Sequence, residues 1–200
     1  MTSQSPTILV VCTGNVSRSP AAELLLAARL GPTVRVGSAG TAAADGLGFD
    51  PRMAALLPEL PTGEFVARQL TPGLIEDANL ILTMTRAHRV QVLDIVPAAV
   101  RRTFTLLDFA KWLSVAGARD VAGTTPAERL CAVLGRVPDL RARAPRHRSQ
   151  PVDVPDPFGR DRGTYRDVAH KIRKATDDIA DALTATPHEV VAHTHRASPS

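Results

Sequence analysis

The residues best suited to chemistry lie within one octet, Cys12-Thr13-Gly14-Asn15-Val16-Ser17-Arg18-Ser19. A short turn containing Gly14 and Asn15 can aim successive backbone N–H groups at one point and form an anion nest. A helix starting directly after it adds its unpaired N–H groups and the positive end of its dipole. Arg18 contributes a planar fork that matches two oxygens of a tetrahedral dianion. Cys12 stands at the rim of that positive field, which favours its thiolate. A thiolate at the base of an oxyanion cradle is a nucleophile aimed at phosphorus. A lone cysteine is ordinarily a small buried hydrophobe. Here the spacing to Arg18, followed at once by Ser19, argues for catalysis.

Such a loop needs a strand before it and a helix after it. Ile8 to Cys12 is a continuous apolar run of strand length, the pattern of a parallel strand buried on both faces. Ser19-Pro20 is read as the helix opening, with Ser19 as cap and Pro20 in the first turn. The helix then runs from Ala21 to Leu30 and stops at Gly31-Pro32. Val34 to Val36 forms a second strand, which completes a βαβ unit with a right-handed crossover. Further along, Pro51–Leu57, Arg86–Val96, Phe109–Ala116, Pro126–Leu134 and Gly163–Leu183 read as helices. Ala78–Met84 reads as a buried strand and Arg102–Leu106 as an edge strand. The Pro- and Arg-rich stretch Arg136–Asp156 reads as loop, and the chain after Pro187 as a polar tail. Alternating strands and helices predict a doubly wound α/β domain that binds its ligand at the carboxyl ends of the strands.

Composition narrows the class. The chain has 200 residues, 44% hydrophobic and 22% charged, which suits one soluble domain with its own core. Two cysteines, Cys12 and Cys131, exclude a disulfide scaffold and a multi-cysteine metal site. Cys131, in an Ala/Leu-rich helix, reads as structural. Net charge is +4, and all but three of the 24 basic residues are arginine, a bias read mainly as surface composition. No stretch approaches the ~20 apolar residues of a membrane span. Met1–Pro6 carries no basic side chain and Ile8–Cys12 is too short for a signal core, so a cytoplasmic location is expected. Arg136–Arg148 has no aromatic ring except His147, unlike a nucleic-acid-binding face. His188, His193 and His195 sit in the polar tail.

The stretch Val11–Pro20 resembles the amino-terminal signature of the low-molecular-weight protein-tyrosine phosphatases. Ser38-Ala39-Gly40-Thr41, Ala67-Arg68-Gln69-Leu70-Thr71 and Asp156-Pro157-Phe158-Gly159 are similar to further segments of that family. Together these cover about residues 7–184. The resemblance implies a three-layer domain with a four-stranded parallel sheet, of the flavodoxin-like kind, over residues 1–186. Residues 114–149 would be an extended insertion and 187–200 a disordered tail. It also implies hydrolysis of phosphotyrosine through a phosphocysteine, with neither metal nor cofactor. Cys12 would be the nucleophile and Asp156 the general acid. Arg18 and the amides of Thr13, Gly14, Asn15, Val16 and Ser17 would bind phosphate. Ser19 would steady the thiolate, Ser38 would pin a left-handed Asn15, and Phe158 would line the substrate entrance.

Departures from the family pattern sharpen this. Ser17 replaces a frequent second cysteine, so a protective disulfide with Cys12 is not available to reverse oxidation. Phe65 replaces a histidine, which implies the loss of one tie to the loop. Thr85 stands where an aspartate is common. Val16 is aliphatic, as in tyrosine-specific members, where the related phosphoarginine phosphatases carry threonine. The alternatives are a phosphatase acting on phosphoarginine or on a small phosphorylated metabolite, an arsenate reductase, and a non-catalytic anion-binding module. The thioredoxin-linked reductases need two further cysteines, and only Cys131 is present. Asp-Pro alone commonly marks a plain turn; its place before the last helix, where the family keeps its acid, is what singles out Asp156.

Overall fold

Four strands, β1 (Thr7–Cys12), β2 (Arg35–Gly40), β3 (Leu80–Thr83) and β4 (Thr103–Thr105), form one parallel sheet in the order β2-β1-β3-β4. They are joined by α1 (Arg18–Leu30), α2 (Pro51–Ala54), α3 (Pro72–Glu76), α4 (Arg86–Ile95), α5 (Leu106–Leu113), α6 (Pro126–Arg143) and α7 (Arg162–Thr184). The computed structural model describes residues 5–117, 120–144 and 152–185. The proposed tail 187–200, with its three histidines, lies outside the described residues.

Residues alternate across β1, and each face has its own apolar layer. Ile8, Val10 and Cys12 join Leu80 and Leu82 of β3 in packing against α1, α5, α6 and α7. Leu9, Val11 and Ile81 face the other way, toward Ile75 of α3 and Val92 of α4. Burial on both faces is why β1 is continuously apolar. Each fully buried Leu or Ile contributes roughly 1.5–3 kcal/mol relative to exposure.

Three corrections bear most on the site and the core. The first concerns the start of α1, which is Arg18, with Ser17 in the cap position and no side-chain cap bond. Ser19 is the second helical residue, so its hydroxyl is free for the site. The second concerns β2, which runs on through Ser38 and Gly40 because those residues pair with Val10 and Cys12. The third concerns the stretch from Arg136, which is helix as far as Arg143 despite Pro138. Leu130, Val133, Val137 and Leu140 bury one stripe of α6 in the core, and that burial offsets the ladder bond the proline cannot donate. A Thr125–Glu128 capping box fixes the start of α6. Cys131 lies on the exposed side of this helix and is not a core residue. Among the described residues, no helix is long and apolar enough to cross a membrane.

Candidate active site

The octet forms the turn between β1 and α1, at the carboxyl end of the central strand. Its shape depends on Asn15, the only non-glycine described residue with positive φ, at 53°. A short polar side chain tolerates that left-handed conformation when it bonds locally. Asn15 is fully buried. Its Nδ2 donates to Ser38 Oγ at 2.7 Å and to Ser19 Oγ at 3.0 Å. Its Oδ1 accepts the Arg68 backbone N–H at 2.9 Å. Neighbouring backbone must come close to allow this. A Cβ on Gly40 would lie 2.3 Å from the Thr13 carbonyl oxygen, so only glycine fits at the end of β2.

Donor accounting fixes the direction of the bonds around Asn15 and Ser38. Ser38 Oγ accepts from Asn15 and donates to Glu23 Oε2 at 2.5 Å. Ser19 Oγ also accepts from Asn15 and lies 2.9 Å from the Cys12 Sγ, so its proton is available to the sulfur whenever Cys12 is a thiolate, which can only accept. Glu23, on the same face of α1 as Ser19, thus orients a relay ending at the sulfur. Burial raises the pKa of Glu23, against the Ser38 hydrogen bond and the Arg68 charge, which lower it. Arg68 Nε donates to the Ser38 carbonyl at 2.7 Å.

Arg18 is 4% exposed and bridges the octet to Asp156. Nη1 donates to the Val154 carbonyl at 3.2 Å, and Nη2 to Asp156 Oδ2 at 2.6 Å. The Asp156 loop is in turn attached to the end of β3. The Val154 N–H donates to the Met84 carbonyl at 2.8 Å, and Asp153 Oδ1 accepts the Arg86 N–H at 2.8 Å. Asp156 Oδ1 accepts from the Phe158 N–H, closing a small turn. The Phe158 ring is 76% exposed beside it. Cys12, Arg18, Ser19 and Asp156 therefore converge from β1, α1 and a loop some 140 residues along the chain. Thr13 and Gly14 are more open, Val16 is half-buried with its carbonyl accepting from Asp50 N–H at 2.7 Å, and the buried Ser17 hydroxyl has no partner among the described residues.

His88, at the start of α4, was not legible as a site residue. Its Nε2 lies 2.9 Å from Thr13 Oγ1 and its Nδ1 lies 2.9 Å from Thr85 Oγ1. Burial, together with the positive charge of Arg18, lowers its pKa to about 4, although Asp156 and Asp153 pull it upward. The imidazole is therefore neutral at pH 7. Thr85 also caps α4 by accepting the His88 N–H, a role that aspartate would fill as well. Glu23 carried one usable signal, as the lone acid in an Ala/Leu-rich helix four residues after Ser19. Phe65 packs edge-on against Phe49 at 6.1 Å, and the tie from its segment to the loop is made instead by the Arg68 backbone.

With this geometry in place, known proteins fall into a consistent group. The family model described as low molecular weight phosphotyrosine protein phosphatase matches residues 7–123. The chain is 30% identical to the Wzb low molecular weight protein-tyrosine-phosphatase of Escherichia coli K12 over 182 residues, 89% of this chain and 95% of that protein. It is 45% identical to Wzb of Salmonella typhi over 92 residues, 45% of this chain, and there spans only 61% of the relative's length. The YwlE arginine phosphatase structure from Geobacillus stearothermophilus superposes with a TM-score of 0.63 at 28% identity, covering 96% of this chain and 99% of that one.

Proposed function

Because the chain belongs to the low molecular weight phosphotyrosine protein phosphatase family, we propose that it hydrolyses phosphotyrosine in proteins through a phosphocysteine intermediate. The observation that carries this reading is the Cys12 Sγ held 2.9 Å from a Ser19 hydroxyl that Asn15 anchors. That hydroxyl donates to the thiolate and improves it as a leaving group. Cys12 attacks phosphorus, forming the S–P bond as the P–O bond to the aryl group breaks. Asp156 gives its proton to the departing phenolate. In the second step Asp156 accepts a proton from water as the water oxygen attacks phosphorus, and the S–P bond returns its electrons to sulfur. Arg18 and the amides of Thr13 to Ser17 hold the equatorial oxygens, whose charge they stabilise. The substrate phosphate takes over the Arg18 Nη2 bond now made to Asp156, and this exchange leaves the carboxyl group free to work as an acid. Phe158 offers its face to the substrate ring. The expected location is the cytoplasm, where free thiols stay reduced.

Phosphoarginine is the second reading, supported by the likeness to YwlE. Val16, which lacks a hydroxyl, favours phosphotyrosine. Rates on peptides carrying phosphotyrosine, phosphoserine or phosphoarginine separate the two. Phosphotyrosine is expected to be fastest, Cys12→Ser inactive, and Asp156→Ala slower by ~10²–10⁴. Faster turnover of phosphoarginine, or undiminished turnover by Cys12→Ser, would overturn the proposal.

A further inference from the structure

Two loops that build the active site also frame a second feature. Asp50, bonded through its N–H to Val16, leads into α2, and the Asp156 turn leads through Gly159 (φ 71°) to Arg160 and α7. Between α2 and the start of α7 lies a cleft of about 560 Å³. Arg52 and Leu56 line one side, and Arg160, Arg162 and Tyr165 the other. Asp161 is the one carboxylate in the lining, and it is engaged as the cap of α7, accepting from Thr164 N–H and Oγ–H at 3.0 and 3.1 Å. Among the described residues, none of the three arginines has a carboxylate within salt-bridge distance. Arg52 instead lies over the Tyr165 ring, its guanidinium carbon 5.7 Å from the ring centroid. The Tyr165 hydroxyl donates to Asp50 at 2.7 Å and holds the two walls together.

We propose that this cleft receives an acidic side chain of the substrate, carried a few residues from the phosphotyrosine. The inference rests on the phosphotyrosine reading and specifies the kind of peptide that the site takes. Three guanidinium groups without a carboxylate partner among the described residues, against one committed carboxylate, favour an anion, and the Leu56 and Pro51 surface accommodates an aliphatic stem. Reach agrees with this. Arg160 is four residues from Asp156, folded back by a bond from its N–H to the Pro157 carbonyl. An extended peptide advances about 3.3 Å per residue, so an acid two to four positions from the phosphotyrosine lies roughly 7–13 Å from it, the range the test below samples.

The test compares kcat/KM for two phosphotyrosyl peptides, identical except for Glu or Gln at the two to four positions on either side. The wild-type enzyme is expected to prefer the Glu peptide by about five- to tenfold at low salt, falling toward unity as salt screens the cleft. The double variant Arg52→Gln/Arg162→Gln should collapse the preference. Arg101→Gln, on the other side of the sheet, should retain it. A wild-type ratio near one would overturn this inference and leave phosphotyrosine hydrolysis standing. So would an unchanged ratio in the double variant, or an equal loss in Arg101→Gln. Absence of turnover on both peptides would overturn it together with the proposed function.

Discussion

The phosphate loop and the excursion between α5 and the Asp156 loop each gather polar groups around a nearly buried charge, and they do so differently. In the loop the charge is Arg18, and the neighbouring Asn15, Ser19 and Ser38 are themselves buried. Their partners come from α1, β2 and the Arg68 segment, and each hydroxyl has one donor role and one acceptor role already assigned. In the excursion the charge is Asp120, 5% exposed. Its partners are Arg143 at 2.6 Å and Arg136 at 3.8 Å, both half-exposed and both from α6. Burial raises the Asp120 pKa, but Arg143, the Gly117 N–H and Arg136 outweigh it and hold the carboxyl below its ordinary value. A network of single-role buried hydrogen bonds sets orientation, and one deletion misdirects the rest. A charge shared by two exposed arginines keeps most of its support when one is lost.

Asn15→Ala should break the comparison most severely. It leaves the Ser19 and Ser38 hydroxyls without a donor and puts alanine at positive φ, so kcat on aryl phosphate should fall by ~10²-fold, with a lowered melting temperature. A loss below threefold would show that the relay does not orient the sulfur's partner. His88 gives the next effect. Its folded pKa, about 4, lies below the ordinary 6.5, so between those values the unfolded chain binds a proton that the folded chain does not. Stability should therefore fall as pH drops from 6.5 toward 4. Urea melts across that range should show a shallower pH slope for His88→Gln, and an unchanged slope would remove His88 as its source. The smallest effect belongs to the excursion. Asp120→Asn should lower stability by about 1–2 kcal/mol and leave kcat/KM on a small aryl phosphate within twofold. A large loss of activity there would couple the excursion to the site.

Legibility followed the range of the forces involved. The octet's place as a strand-to-helix turn, and its candidate chemistry, could be read directly because both depend on residues within one turn and on the helix that must follow it. β1, α1, β3 and α7 were legible for a similar reason, since a strand buried on both faces and a long amphipathic helix leave their periodicity in the residues. α6 was partly hidden by Pro138 and the arginines, although Leu130, Val133, Val137 and Leu140 keep helical spacing through the proline. Burial against α5 and α7 decided it. His88 and Arg68 were illegible as site residues and Glu23 left only the weak signal of a lone acid in α1, because each acts on the loop from another element or another turn.

The linear order of residues by itself determined the candidate nucleophile, the turn proposed to cradle phosphate and the α/β alternation that places them at a strand's carboxyl end. Those depend on side-chain type, backbone stereochemistry and short spacing, which are local properties of the chain. Tertiary structure alone decided that Asn15, held by Ser38, anchors the Ser19 hydroxyl beside the Cys12 sulfur, that Arg18 meets Asp156, and that three arginines line one cleft. Hydrogen-bond direction and charge proximity depend on distances of a few ångströms, and only the packed sheet and its helices bring residues so far apart in the chain within that range.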